Sequence, residues 1–351
     1  MSDFQFKRLE RYKVDGIGDK WELQIPLPQT LSGKVYRWCP DQDCSPRLFL
    51  LGGIPNRPKD LDLSKLYRSP GIAETTCPYC GGDASDEEFM YSGDTQAILD
   101  YLNWAAYRDA HDALKKMSDD FNRSVGSGGW LSVKMSVDPV TKPEPRAWRE
   151  DLIRNLACDL CGRVYGVYAI ALFCPDCGGK NLHVHFEREI ELILQQIDLA
   201  EQVAKDGNFE LSYRLLGNAH EDVLTALETN QKTFYKYEIR KKYPPDERRK
   251  LTSKAAIGNR FQNIDKARQL YQNLNFDPFS TFPLEELELL KSNIEKRHVI
   301  GHNLSIADET YADKGKLERP GTTIEILSDD INQFALIAKK VVSELEKMMD
   351  R

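Results

Sequence analysis

Eight cysteines, arranged as four close pairs, are the residues of this 351-residue chain whose spacing predicts chemistry most directly. The pairs are Cys39 and Cys44, Cys77 and Cys80, Cys158 and Cys161, and Cys174 and Cys177. In three of the pairs two residues separate the thiols, and Gly81, Gly162 and Gly178 follow the second cysteine. A Cys-x-x-Cys turn can place two thiolates on one metal ion, with the following backbone N–H groups aimed at the sulfur atoms. The pairs therefore predict metal-binding turns.

The last two pairs have the spacing of a zinc ribbon. Two, twelve and two residues separate their four cysteines, and the middle segment, GRVYGVYAIALF, is suited to a short hairpin. The first two pairs are separated by four, thirty-two and two residues, so their loop is long and their first turn is irregular. Four thiolates still suit tetrahedral zinc, and we expect two structural Zn²⁺ sites with no open coordination position.

Other uses of the cysteines stay open from spacing alone: disulfide bonds, an iron–sulfur or rubredoxin-like iron site, and redox chemistry. The expected zinc sites could fold a small domain, or they could present basic and aromatic side chains to a nucleic acid or a protein. The candidates for such contacts are Arg37, Trp38, Tyr79, Arg163, Tyr165 and Tyr168. The folding role is favoured because nothing in these stretches is specific for a base.

A second cluster lies near the carboxyl end, in the stretch EKRHVIGHN, where Arg297, His298, His302 and Asn303 follow one another closely. His298 and His302 are four residues apart and share a helix face, whereas Arg297 and His302 lie about 140° apart around a helix. The apolar positions before the cluster lead into it by steps of three or four residues, so it extends the buried stripe of the helix. We expect it to face a partner surface.

The heptapeptide RHVIGHN, late on a predicted helix and followed by one closing helix, resembles the signature of the HEPN domain family. That signature is an arginine, a polar residue, three variable residues and a histidine, which match Arg297, His298, residues 299–301 and His302. The resemblance covers residues 186–351. It implies a HEPN-like helical bundle with metal-independent endoribonuclease activity, in many members a toxin or a phage-defence effector, and a homodimer in which two motifs face each other.

One position departs from the family pattern. HEPN toxins that are modified by nucleotidyltransferase antitoxins carry a tyrosine two residues after the histidine, and this chain has Leu304 there. Control by that route is not expected. Another antitoxin or a regulatory protein stays a candidate partner.

The cluster has the chemistry that RNA cleavage without a metal requires. His302, with an ordinary imidazole pKa of about 6.5, could move the proton of the 2′-hydroxyl or of the leaving group. Arg297 could hold the non-bridging oxygens of the phosphorane with its planar fork. His298 would be a second donor or an orienting group, and Asn303 could hydrogen-bond His302 or the phosphate. Two other hypotheses stay open: a catalytically silent scaffold, and a metal held by the two histidines with Glu295 or Asp308.

A basic run precedes this cluster in the sequence. Between positions 232 and 260 there are ten Lys and Arg against three Asp and Glu, a net charge of +7 within a chain of net charge −7. Such a run could follow an RNA backbone, or it could be a solvated loop between helices. The predicted RNA-binding residues are Arg240, Lys241, Lys242, Arg248, Arg249 and Lys250.

The elements that must position these residues divide the chain into two regions. For residues 1–185 the sequence predicts an α+β module with two four-cysteine zinc ribbons, a helix from Asp94 to about Val125, and a strand in WLSVKMSV. For residues 186–351 it predicts an all-α bundle, which the family resemblance makes HEPN-like. Its expected helices pass through Ile190–Ala200, Leu211–Tyr237 and Leu251–Leu274, start at Pro283, and run from Ser328 to the terminus.

Composition limits the remaining possibilities. With 41% apolar residues the chain can bury a large core, and a net charge of −7 argues against a surface built throughout to coat nucleic acid. No apolar run approaches the length that crosses a bilayer, and the start MSDFQFKRLERYK lacks the apolar core of a signal peptide. We therefore expect a cytoplasmic protein without a membrane partner.

Overall fold

The computed structural model describes most of the chain, and all structural statements below refer to these residues. They are 6–17, 20–25, 29–30, 32–53, 63–69, 72–124, 134–139, 153–303, 305–313 and 319–349. Among them, none of the helices combines the length and the apolar composition that a membrane crossing requires.

The amino-terminal region consists of short antiparallel strands around the cysteines. They are β1 (Lys13–Ile17), β2 (Lys20–Leu23), β3 (Val35–Trp38), β4 (Leu48–Leu51), β5 (Glu74–Thr76), β6 (Asp83–Ser85), β7 (Arg154–Ala157) and β8 (Val164–Val167). Strands β1 and β2 form one pair, and β5 and β6 form another. The other four strands form a sheet in the order β3-β4-β8-β7.

This four-stranded sheet joins the two cysteine regions, which the sequence predicted as separate ribbons. Leu50 of β4 pairs with Gly166 of β8, so a strand near the first quartet lies beside a strand of the second. The sequence predicted that residues 162–173 form a hairpin with each other, and this is wrong. Strand β8 of that segment pairs with β7, which precedes Cys158. The packing around Gly166 is so close that a Cβ at this position would overlap the side chain of Ile153. Buried Phe49 and Tyr165 fill the core beneath the sheet.

The helices lie mostly in the carboxyl-terminal half. They are α1 (Lys7–Glu10), α2 (Ser92–Ser124), α3 (Leu182–Lys205), α4 (Phe209–Lys242), α5 (Pro245–Leu251), α6 (Lys254–Ile257), α7 (Ile264–Tyr271), α8 (Leu284–Asn303), α9 (Glu309–Ala312) and α10 (Ser328–Met348). Helix α4 packs against α3, α10 and α8. Phe234, Tyr271 and Phe334 are among the fully buried side chains of their common core. The predicted order of small sheets with cysteine clusters followed by a helical region is confirmed.

The single helix predicted from Leu251 to Leu274 is wrong, because the backbone breaks there three times. Ser253 and Asn263 begin new helices with side-chain caps, accepting hydrogen bonds from the backbone N–H groups of Ala256 and Lys266. Between them Gly258 has a φ of 42°, which ends α6. Short polar side chains that cap a helix compete with continuing it, and apolar spacing alone does not detect this.

The connection after α2 also differs from the prediction. Residues 134–139 form no strand, and the backbone of Met135 instead exchanges hydrogen bonds with the side chain of Asn122. Ser118 donates to the same carbonyl. Residues 130–133, the glycine-rich stop at 126–129 and most of the proline-rich connector lie outside the described part. Helix α2 itself agrees with the predicted bounds to within two residues at its start and one at its end.

Candidate functional site

Each cysteine quartet brings four sulfur atoms into one small cluster. The four Sγ atoms of Cys39, Cys44, Cys77 and Cys80 lie within 4.8 Å of one another, and the same holds for those of Cys158, Cys161, Cys174 and Cys177. The glycines after the three Cys-x-x-Cys turns have φ values of 72°, 78° and 66°. Their N–H groups donate to the carbonyl of the first cysteine of each turn. The positive φ values agree with the predicted use of glycine after the second cysteine of each turn.

The sulfur separations fit a tetrahedral metal and exclude disulfides in this structure. The Sγ–Sγ distances are 3.7 Å for Cys39–Cys80 and 3.6 Å for Cys161–Cys174, against about 2.05 Å in a disulfide. Four sulfurs about 2.3 Å from a central ion would lie about 3.8 Å apart. A hydrogen bond from Cys39 lowers the pKa of Cys80, and one from Cys158 does so for Cys161. Both quartets are therefore compatible with structural metal binding.

The six basic and aromatic residues predicted near these sites do not form one surface. Tyr165 is fully buried and its hydroxyl accepts a hydrogen bond from Asn181, while Arg37 and Tyr79 are also buried. Trp38 stacks beneath the guanidinium group of Arg47 at 4.9 Å, and Arg163 is half-buried. Tyr168 is exposed. Arg37, Tyr79 and Tyr165 are therefore explained by their packing in the core.

The first quartet contacts the predicted RNA-binding run. The turn between Cys39 and Cys44 carries Asp41 and Asp43, which pair with Arg240 at the end of α4 and Arg248 of α5. Nη2 of Arg248 lies 3.1 Å from Oδ2 of Asp43. Burial lowers the pKa of Arg240, but the charges of Asp41 and of the neighbouring cysteines outweigh it and raise the pKa above its ordinary value. Two of the six predicted cations thus join the first quartet to the helices.

The other four predicted RNA-binding residues have different surroundings. Arg249 lies 2.5 Å from Asp246 in an exposed pair. Lys241 lies over the ring of Tyr237, and Lys242 donates to the carbonyl of Asn273 at 2.8 Å. Lys250 is exposed on α5. RNA binding by this run stays a prediction.

Helix α8 places Arg297 between the core and the surface. Val299, two residues after Arg297, is buried, whereas the adjacent His298 is exposed. Nε of half-buried Arg297 lies 3.6 Å from Oε1 of Glu221 on α4. A Cβ on Gly301 would overlap the same carboxylate oxygen, so glycine at this position permits the close approach of α4 and α8. His302 belongs to α8, and its side chain lies outside the described part of the structure.

Asn303, the last residue of the predicted cluster, has an orienting contact. Its Nδ2 donates to Oδ2 of Asp308 at 2.8 Å, and Oδ1 of Asp308 accepts from the backbone N–H of Tyr311 to cap α9. The bond from Tyr311, followed by the bond from Asn303 and the charge of His298, lowers the pKa of Asp308. The carboxylate therefore stays ionised near neutral pH.

A cavity of about 340 Å³ brings several of these groups together. Arg297, His298, Glu295 and Asp308 line one side of it. The segment between α6 and α7 contributes Asn259, Gln262 and Asn263, and the first turn of α7 contributes Lys266. The cavity thus combines two cations and an imidazole with carboxylates and amides. Lys266 and the amides had no motif that could have identified them in the sequence.

Behind the cavity wall, a buried histidine that sequence reasoning missed fixes α8. Nε2 of His220 on α4 lies 2.9 Å from Oδ1 of Asn293, one turn before Arg297, and its ring stacks on Phe334. Burial lowers the pKa of His220 to about 4, so the imidazole is neutral at pH 7 and Nε2 can carry the proton that Asn293 accepts. This bond fixes the position of the helix that carries Arg297.

No family model, curated protein or solved structure matches this chain.

Proposed function

We propose that this protein is a metal-independent endoribonuclease of the HEPN type, with a site composed of two copies of α8 in a homodimer. The observation that carries the proposal is that Arg297 and His298 line one cavity beside the ionised carboxylate of Asp308. An arginine and an imidazole side by side on a polar cavity wall are suited to a phosphodiester. The resemblance of residues 297–302 to the HEPN signature supplies the reaction class.

In the proposed reaction the 2′-oxygen of a ribose attacks the adjacent phosphorus as His302 removes the hydroxyl proton. The bond to the 5′-oxygen breaks, and that oxygen takes a proton from His298 of the same or the second copy. Arg297 stabilises the charge on the non-bridging oxygens of the phosphorane. The products carry a 2′,3′-cyclic phosphate and a 5′-hydroxyl. DNA lacks the 2′-hydroxyl, so it would not be cut.

The non-catalytic parts have supporting roles in this proposal. Zn²⁺ in both quartets would stabilise the amino-terminal sheet, since a site closed by four thiolates leaves no position for substrate. Asn303 would hold Asp308, and the charge of Asp308 would orient His298. A cytoplasmic toxin or phage-defence effector restrained by an antitoxin or another regulatory protein is the role that the family resemblance favours.

The test is cleavage of single-stranded RNA by the full chain in excess chelator, after metal analysis confirms that both quartets stay loaded. We expect Arg297→Ala and His302→Ala each to lower the rate by about 10²- to 10³-fold. Lys291→Ala is the matched control: it removes an exposed cation from the same helix that does not line the cavity. Thermal unfolding of each variant separates loss of chemistry from loss of fold.

Three results would reject the proposal. They are unchanged cleavage in both site variants, cleavage that requires an added divalent metal, and cutting of an RNA whose 2′-hydroxyl at the cleaved position is replaced by hydrogen. The second result would favour the metal hypothesis for His298 and His302 instead.

A silent scaffold is the second candidate, and specific contacts favour it. Glu221 lies beside the guanidinium group of Arg297, Asn303 is engaged with Asp308, and Arg240 and Arg248 hold the first quartet. Each contact gives its residue a structural purpose. This candidate predicts no cleavage of any RNA and a loss of stability in Arg297→Ala comparable to that in Glu221→Ala.

A further inference from the structure

A large cavity lies where the first quartet meets α4 and α5. Its volume is about 600 Å³, within the range of cavities that bind small molecules. One wall is formed by the quartet turns, with Asp43, Cys44 and Cys80, and the opposite wall by residues 233–252. None of the residues that line it lines the cavity beside Arg297. It is therefore a separate candidate site.

Four cations line this cavity, and three of them are also paired with carboxylates: Arg240 with Asp41, Arg248 with Asp43 and Arg249 with Asp246. Lys236 and Arg240 lie one turn apart on α4, and Arg248 and Arg249 lie on α5. The pairs of Arg240 with Asp41 and of Arg248 with Asp43 use Nη2 of each guanidinium group. These pairs fix the two arginines, and Nε and Nη1 of each group carry three further N–H donors. Fixed guanidinium donors are suited to the oxygens of a phosphate.

The remaining lining is apolar and aromatic. It consists of Pro46, Tyr79, Ala169, Ile170 and Tyr237, with hydroxyl groups at Ser45, Thr233 and Thr252. The hydroxyl of Tyr79 donates to the carbonyl of Leu48 and accepts from the N–H of Tyr168, so its polar atom is engaged within the protein. Apolar and aromatic surface of this kind is suited to an uncharged ring.

The two walls set the orientation of a ligand. Four thiolates on a divalent ion would keep a net charge of about −2, which would disfavour an anion next to Cys44 and Cys80. A phosphate is therefore favoured on the side of α4 and α5, and an uncharged ring against the apolar wall. We infer that this cavity binds a phosphorylated nucleoside, with its phosphate on Lys236, Arg240, Arg248 and Arg249. The nucleoside is either a free nucleotide or a nucleotide of an RNA chain.

The structure divides the basic run accordingly. Arg240, Arg248 and Arg249 line the cavity, and Lys236 joins them, whereas Lys241, Lys242 and Lys250 do not line it. If the basic run merely attracted polyanions, binding would depend about equally on every lysine and arginine in it. If the cavity holds one phosphate, binding depends only on the cations that line it.

The experiment is calorimetric titration of the metal-loaded full chain with three probes. They are the ribonucleoside 5′-monophosphates, the corresponding nucleosides, and a short oligoribonucleotide with and without a 5′-phosphate. Binding of a monophosphate but not of its nucleoside supports a free nucleotide as the ligand. Binding of the oligonucleotide alone supports an RNA chain. Binding of neither phosphorylated probe overturns the inference.

Variants complete the test. We expect Lys236→Ala and Arg249→Ala each to weaken binding about tenfold or more, as loss of one charge-assisted hydrogen bond does. Lys250→Ala removes the same charge from the residue next to Arg249 and should bind like the native chain. Equal weakening in all three variants overturns the inference in favour of a diffuse basic surface, and no weakening in any also overturns it. Unchanged metal content shows that each variant keeps the first quartet.

The cleavage proposal is tested separately by the same titration. Lys291→Ala changes a residue that lines neither cavity, so this variant should bind the monophosphates as the native chain does. Weaker monophosphate binding in Lys291→Ala would overturn the inference. The native chain could fail to cleave RNA while the titration gives the expected binding. That result would support the nucleotide site and reject the proposed ribonuclease activity.

Discussion

Nδ1 of His183 lies 2.8 Å from Oε1 of Glu346, joining the start of α3 to the end of α10. Nε2 of the same ring lies 3.2 Å from Oδ2 of Asp159, in the turn between Cys158 and Cys161. The imidazole therefore connects the second quartet to both ends of the helical region. Burial alone lowers the pKa of His183, but the bonds to Asp159 and Glu346 outweigh it and raise the pKa to about 10.

The first prediction is that His183 stabilises the fold over a defined pH range. Its folded pKa of about 10 exceeds the unfolded value of about 6.5, so its contribution is complete below pH 6.5 and is lost as pH rises through 10. The hydrogen bond from His183 lowers the pKa of Asp159, so that contribution is lost in acid instead. His183→Gln should lower the free energy of unfolding more at about pH 6 than at about pH 9.5.

Urea unfolding of the native chain and of His183→Gln at several pH values measures this difference. Glu346→Gln is the matched variant, since it removes the partner's charge and leaves the imidazole in place. It should reduce the pH trend as well. A difference between His183→Gln and the native chain that is constant from pH 6 to about 9.5 would contradict the prediction.

The second prediction concerns the contact between the first quartet and the helices. Arg240 and Asp41 are both partly exposed, so their pairing should be worth about 0.2 to 1 kcal/mol. The double-mutant cycle of Arg240→Ala and Asp41→Ala should give a coupling energy in this range that falls with added salt. A cycle of Arg249→Ala with Asp41→Ala is the control and should show no coupling. Zero coupling for Arg240 with Asp41 would remove the pair as a docking contact.

The third prediction is that the two quartets hold their metals with different kinetics. Cys80 is half-exposed and lines a cavity, whereas the other seven cysteines are buried. A chelator should therefore remove metal in two phases from a chain that binds two ions. The fast phase should be missing in Cys80→Ser and the slow phase in Cys161→Ser, as followed with a metal-sensitive dye. Elemental analysis identifies the metal, and one ion per native chain would contradict the assignment of two sites.

How far the sequence predicts this molecule depends on how local each signal is. Helices α3, α4 and α10 follow from one continuous apolar stripe each, and the Cys-x-x-Cys turns from their glycines. The pairing of Leu50 with Gly166 joins segments more than 100 residues apart, so no local pattern could predict it. The breaks at Gly258 and Asn263 depend on single capping residues, which the apolar spacing of the segment conceals.

The candidate site shows the same limit. Arg297, His298 and Asn303 could be nominated from their types and spacing. Glu221, which approaches Arg297, reaches it only through the packing of α4 on α8. No sequence motif identifies Lys236. It nevertheless lines the same cavity as Arg240, which follows it by one turn of α4. Its role depends on where the first quartet docks, and that position is a property of the tertiary fold.

The fourth prediction tests the crowding of Gly301 against Glu221. Alanine in place of a helical glycine stabilises a helix by up to about 1 kcal/mol. Here its Cβ would displace the carboxylate of Glu221 and weaken the approach of that carboxylate to Arg297. Gly301→Ala alone should therefore change the free energy of unfolding by less than about 1 kcal/mol, because the two effects oppose each other.

Without the carboxylate of Glu221, Gly301→Ala should raise the free energy of unfolding by the full amount expected for alanine in a helix. In a Glu221→Ala background, Gly301→Ala should be more stabilising than in the native chain by about 0.5 to 1 kcal/mol. Gly217→Ala is the control, because Gly217 lies on α4 near Ile300 and its added Cβ would not meet Glu221. Its effect should be the same in both backgrounds. Additive effects of Gly301→Ala and Glu221→Ala would mean that the glycine does not govern where Glu221 sits, and that Arg297 is positioned by other contacts.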